Sequence, residues 1–92
     1  MLLAVDVGNT NMKFTVFDRE KIKVSFRIRT DSTKTSDELG FTLINHLNGQ
    51  NFDHESIDSV IISSVVPNIM HSLNNAIIKF FKTSPLIVAG HS

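Results

Sequence analysis

The chain opens on a run, Leu2-Leu3-Ala4-Val5-Asp6-Val7, that is apolar except for Asp6. Such a short apolar run reads as a buried strand. Residues 12–18 read as a second strand, with Met12, Phe14 and Val16 on one face. A polar turn, Asp18-Arg19-Glu20, leads into residues 21–29, which alternate. Ile22, Val24, Phe26 and Ile28 are expected to face the core, and Lys23, Ser25, Arg27 and Arg29 the solvent. That basic face is read as protection of a sheet edge rather than as a binding patch.

Residues 30–35 form a loop, and Thr35 with Glu38 makes a capping box that starts a helix over 35–48. Leu39, Leu43 and Leu47 share one face of it, and Asn48-Gly49 closes it. Residues 50–56 are a polar loop, with Asp53, Glu55 and Asp58 read as solvated. The near-continuous apolar run at 59–66 has the pattern of a central parallel strand covered on both faces. Pro67 suits the first position of a second helix, 67–82. Ile69, Met70, Leu73, Ala76, Ile77, Phe80 and Phe81 recur there at helical spacing, and Lys79 and Lys82 lie where the dipole favours cations. "SPLIVAG", residues 84–90, reads as a short buried strand. The order β-β-β-α-β-α-β predicts an α/β fold with one mixed five-stranded sheet flanked by helices.

Composition narrows the function classes. A length of 92 residues, 41% hydrophobic and 20% charged, fits one globular domain. Nine basic and nine acidic residues give zero formal net charge, which argues against nucleic acid or a membrane surface as partner. The lack of cysteine rules out disulfides and thiolate catalysis and suits a reducing cytoplasm. No segment has the apolar length of a membrane span, and no basic region precedes the first apolar run, so a signal peptide is not expected. His46, His54, His71 and His91 lack metal-ligand spacing and are expected at the surface or on helix flanks. Asp31 and Asp37 are read as capping residues around a helix start.

The candidate chemistry lies between the first two strands, in Asp6-Val7-Gly8-Asn9-Thr10-Asn11 and the following Lys13. Gly8 suggests positive φ or the close approach of another group. Asn9 and Asn11 tolerate left-handed geometry and carry amide hydrogens. Successive N–H groups in such a turn form an anion nest, and Thr10 and Lys13 add a hydroxyl and a point charge suited to phosphate. Asp6 falls at the C-terminal end of a central strand, where open α/β sheets bind ligands, and its carboxylate can hold Mg²⁺. The same residues also fit a plain hairpin in which Asp6 accepts turn N–H bonds. Spacing alone leaves both readings open. Neither a P-loop nor a dinucleotide fingerprint occurs.

The stretch "AVDVGNTNMKFTVFD" resembles the first phosphate motif of the acetate and sugar kinase/Hsp70/actin superfamily. Its D-x-G-N-T-N form with a following lysine is similar to type III pantothenate kinases, as is "VIISSVVP" at 60–67 before an amphipathic helix. The resemblance covers the whole chain. It implies a ribonuclease H-like/actin-like ATPase subdomain. It also implies a cytoplasmic, ATP-dependent enzyme that phosphorylates pantothenate to 4'-phosphopantothenate, the first step of coenzyme A biosynthesis. Under it, Asp6 positions Mg²⁺ and phosphates, Gly8, Asn9, Thr10 and Asn11 cradle the phosphates of ATP, Lys13 faces them, and Asn9 lies close to pantothenate. Ser63, Ser64 and Pro67 would form the cleft floor, with Ser63 and Ser64 read as structural support. A monovalent cation (K⁺ or NH₄⁺) and a homodimer are implied in the same way. The family's Gly-x-Asp-Arg segment, which carries the base and a carboxylate clamp, has no counterpart in the sequence, nor do its second phosphate motif and adenine site. Residues 1–92 are therefore expected to be the N-terminal subdomain of such a kinase, inactive alone, with the C-terminal subdomain outside this chain. The alternative is a non-catalytic actin-like nucleotide-binding or regulatory module.

Overall fold

A computed structural model describes residues 1–64 and 66–89. Val65 and residues 90–92 lie outside it, and with them the readings of His91 and of the last position of the final strand. Strands β1 (Leu2–Val7), β2 (Asn11–Asp18) and β3 (Lys21–Arg29) form an antiparallel meander. Helix α1 (Ser36–Gly49), a 3-10 turn (His54–Ser56), β4 (Ser59–Ser64), α2 (Pro67–Phe81) and β5 (Leu86–Ala89) follow. The sheet order is β3-β2-β1-β4-β5, with β1 parallel to β4 and β4 parallel to β5. The expected mixed five-stranded sheet is therefore present, and both helix starts and ends fall within a residue of those read from the pattern.

Strand alternation decides which side becomes core. Leu3, Val5 and Val7 of β1, Met12, Phe14 and Val16 of β2, and Val60 and Ile62 of β4 are all buried on one face. They meet Leu39, Leu43 and Leu47 of α1 and Ile69, Leu73, Ala76 and Ile77 of α2 in one apolar cluster. Thr35 caps α1 reciprocally: Glu38 N–H donates to Thr35 Oγ1 at 3.1 Å, and Thr35 N–H donates to Glu38 Oε1 at 2.9 Å. Pro67 occupies the start of α2, and Lys82 ends it in the left-handed region at φ 58°. The helices cross closely at Gly40, which abuts the Phe80 ring.

Several expectations change. Ile22 is 62% exposed rather than core-facing. The ladder shifts between Val16 and Phe17, so that Val16 pairs with Val24 but Phe17 with Ile22. The extra residue, Lys23, flips the parity of the strand's first part and turns Ile22 to the other face. Strand β4 is covered on one face only, since Ile61 and Ser63 are merely half-buried. The last strand is not buried: Leu86, Ile87 and Val88 are exposed, because β5 is an edge strand that, among the described residues, pairs only with β4. Asp53, Glu55 and Asp58 are exposed, as expected, but two of them also make local contacts. Asp53 accepts from Glu55 N–H at 2.9 Å, and Asp58 pairs with the Met1 ammonium at 3.2 Å. Asp31 accepts from Thr33 and Asp37 pairs with Lys79, so neither caps α1. His46 stacks on Phe26 at 4.6 Å, His54 meets Phe81 edge-on, and His71 bonds Asn75, all on element flanks.

Two predictions follow from this packing. A helical Gly→Ala change ordinarily stabilises by about 1 kcal/mol. At Gly40 the new methyl would run into the Phe80 ring, so G40A is expected to destabilise by about 1–3 kcal/mol, measured as a lower urea midpoint with an unchanged slope. The second concerns pH. The Thr35 backbone N–H and hydroxyl hold the Glu38 carboxyl below its usual 4.5. Bonds from the Thr33 hydroxyl and N–H lower Asp31, and the Met1 ammonium lowers Asp58. Carboxyls depressed on folding add stability above their unfolded values and lose it as pH falls through the folded ones. The urea midpoint should thus stay level from about pH 7 to 5 and drop below about pH 4, less steeply in E38Q.

Candidate functional site

The turn between β1 and β2 is a two-residue loop, Asn9-Thr10, closed by Gly8 N–H donating to Asn11 O at 2.9 Å. Hairpin loops this short usually need positive φ. None of residues 8–11 has it; among the described residues only Arg19, Asn51 and Lys82 do. Gly8 is there for close approach instead: a Cβ would lie 3.2 Å from Asn11 O. The left-handed geometry expected of Asn9 and Asn11 is absent, and so is an αR–αL nest. Among the described residues, the Asn9 and Thr10 N–H groups still donate no backbone bond, and both residues are exposed.

What holds this turn is a residue the sequence reading left in a loop. Thr30, just past β3, donates its hydroxyl to Gly8 O at 2.8 Å and its N–H to Thr10 O at 2.9 Å. No signal in the sequence gives it: only the observed register, in which Arg29 pairs with Asn11, brings the next residue of the chain beside the turn.

Asp6 and Lys13 stand directly opposite each other on β1 and β2, and Ser63 flanks Asp6 on β4. All three line a shallow groove of about 240 Å³ on the helix-free face, with Phe17, Ile61 and Val88 as apolar walls. Asp6 and Lys13 are exposed. Among the described residues, the Asp6 carboxylate accepts no turn N–H and forms no ion pair with Lys13. A plain hairpin role for Asp6 is therefore not what the geometry holds. Ser64 is structural, as read: its hydroxyl accepts from Val66 N–H at 3.0 Å, shaping the approach to α2. Pro67 is exposed at the start of α2. Asp6, Gly8, Asn9, Thr10, Asn11, Lys13 and Ser63 thus gather at one end of the sheet. A wider depression at the opposite end, formed by the Asp18–Lys21 turn, contains none of them.

Residues 2–92 match the family model of type III pantothenate kinase. The chain belongs to the type III pantothenate kinase family. The type III pantothenate kinase of Agathobacter rectalis is 52% identical over 88 residues, which covers 96% of this chain and 34% of that protein. This chain spans about a third of the length of the curated relatives it matches. Among solved structures, a Bacteroides thetaiotaomicron protein with an actin-like ATPase fold superposes at TM-score 0.64 and 14% identity, covering 95% of this chain and 32% of that one. A ROK hexokinase from Thermus thermophilus gives 0.63 at 13% identity, covering 96% and 34%. These likenesses establish the actin-like ATPase fold.

The site's geometry generates one prediction. T30V keeps the side-chain volume but removes the hydroxyl bond to Gly8 O, at an expected cost of about 1 kcal/mol. Faster hydrogen exchange at the Gly8 and Thr30 amides, which donate to Asn11 O and Thr10 O, would register it, and unchanged protection of both would show that the Thr30 hydroxyl does not brace the turn.

Proposed function

We propose that residues 1–92 are the phosphate-binding N-terminal subdomain of an ATP-dependent pantothenate kinase, which transfers the γ-phosphoryl group to pantothenate. The observation that carries this is the Asp6 carboxylate, exposed at the C-terminal end of β1 and, among the described residues, engaged by neither the turn nor Lys13. An acid so placed fits a hard cation that keeps waters and phosphate oxygens in its shell. Asp6 would hold Mg²⁺, which supplies charge neutralisation along the triphosphate. The unbonded N–H groups of Asn9 and Thr10, the Thr10 hydroxyl, the Asn11 amide and the Lys13 ammonium bind and orient phosphate oxygens. Gly8 lets the turn close tightly, and Asn9 contacts pantothenate. The base and the carboxylate clamp would belong to the part of such a kinase that this chain does not span. A monovalent cation, a homodimer and a cytoplasmic location belong to the same proposal and rest on family membership alone.

The test is Asp6→Asn in the full-length protein. The amide preserves shape but not charge, so kcat/KM is expected to fall by about 10²–10³ with an unchanged melting temperature. Turnover close to wild type, with unaltered Mg²⁺ dependence, would make Asp6 only a strand residue, and no pantothenate phosphorylation by the unsubstituted full-length protein would favour a non-catalytic module.

A further inference from the structure

The basic face of β3 reads at first as edge protection, but the register separates one of its residues from the rest. Asp6 pairs with Ser63 on one side and Lys13 on the other, and Lys13 pairs with Arg27. Directly paired residues point to the same face, so Ser63, Asp6, Lys13 and Arg27 form one polar row across four strands. Phe26 and Ile28, on either side of Arg27 in sequence, turn toward the core instead.

Lys13 and Arg27 are like charges directly opposite each other on the β2–β3 ladder, an arrangement that destabilises a sheet. Simple edge protection does not need it, since a cation anywhere along an edge strand serves that purpose. Arg27 is exposed, and among the described residues it forms no ion pair. An anion lying over the row would turn the repulsion into attraction. A guanidinium is suited to this, because its planar fork binds two phosphate oxygens at once.

We infer that Arg27 is a phosphate-contacting residue that forms a two-cation clamp with Lys13 on the polyphosphate chain of the nucleotide. This rests on the reading of the Asp6–Lys13 turn as a phosphate site and extends that site one strand outward, onto β3. The clamp orients the chain along the row, with its metal-bound part at Asp6.

The experiment measures equilibrium binding of ATP and of adenosine to the full-length protein and to R27A, R27K, K13A and K23A. Lys23 carries the same charge on the same strand, about 13 Å farther along it. R27A is expected to weaken ATP about tenfold and leave adenosine unchanged, as loss of a charge-assisted bond requires. R27K should retain part of the affinity, and K23A should stay within about twofold of wild type, as expected of a screened surface charge. If R27A shifts ATP binding no more than K23A while K13A weakens it, the clamp is wrong and the turn reading stands. If K13A also has no effect, the turn reading fails and the clamp falls with it. Should R27A fail to fold, R27K decides: a loss of ATP affinity with adenosine binding intact supports the clamp, and wild-type affinity for both refutes the fork-specific contact.

Discussion

The double pairing of β1 is the constraint on which the rest depends. It is bonded antiparallel to β2 and parallel to β4, so each of its residues is fixed from both sides. Leu3, Val5 and Val7 are essentially removed from solvent, and a slip of one residue would exchange them with Ala4 and Asp6. That slip would expose three core side chains and bury a carboxylate, whose desolvation is costly. The core therefore sets where the charge goes. Asp6 reaches the helix-free face because its neighbours cannot, and both ladders then bring Lys13 and Ser63 beside it.

The turn that follows works against its own local preference. A two-residue hairpin loop is normally relieved by positive φ, and this one has none. It is held by three hydrogen bonds: its own closure and the two from Thr30. At about 1 kcal/mol each, such bonds can select one turn conformation over its competitors. Tying the turn to the end of β3 also means that the exposed groups of Asn9 and Thr10 are positioned by the whole meander rather than by the hairpin alone.

Much of this was legible in the sequence. Thr35 and Glu38 marked the first helix and Pro67 the second, and the polar residues of the Asp6–Lys13 stretch gather at one end of the sheet. What escaped had physical causes. A bulge cannot be seen in an alternation that continues unbroken through Lys23, so Ile22 was assigned to the wrong face. Apolar residues report the chance of burial and not the layer that supplies it, so "LIV" at 86–88 was read as core although it is exposed at an edge. Thr30 escaped because its role is tertiary. It lies 22 residues from Gly8 in sequence and meets it only once the β2–β3 register is fixed. Conversely, the reading of Asn9 and Asn11 through left-handed geometry relied on turn statistics that this turn does not follow, whereas the close approach offered for Gly8 is present.

The two faces of the sheet divide the labour. The helix side holds the apolar cluster, and the other side holds the charges. On that second face the side chains of Phe17, Ile61 and Val88 line the shallow groove beside the exposed Asp6 and Lys13. Asp6 and Lys13 are close enough in register to neutralise each other, yet they form no ion pair. Two long-range consequences follow from that restraint. Under the proposed function, the acid keeps its capacity for a hard cation and the ammonium its capacity for an anion, so the pair would take both partners of a metal-bound phosphate at once. An ion pair between them would have had to be broken first, and its energy subtracted from every binding event.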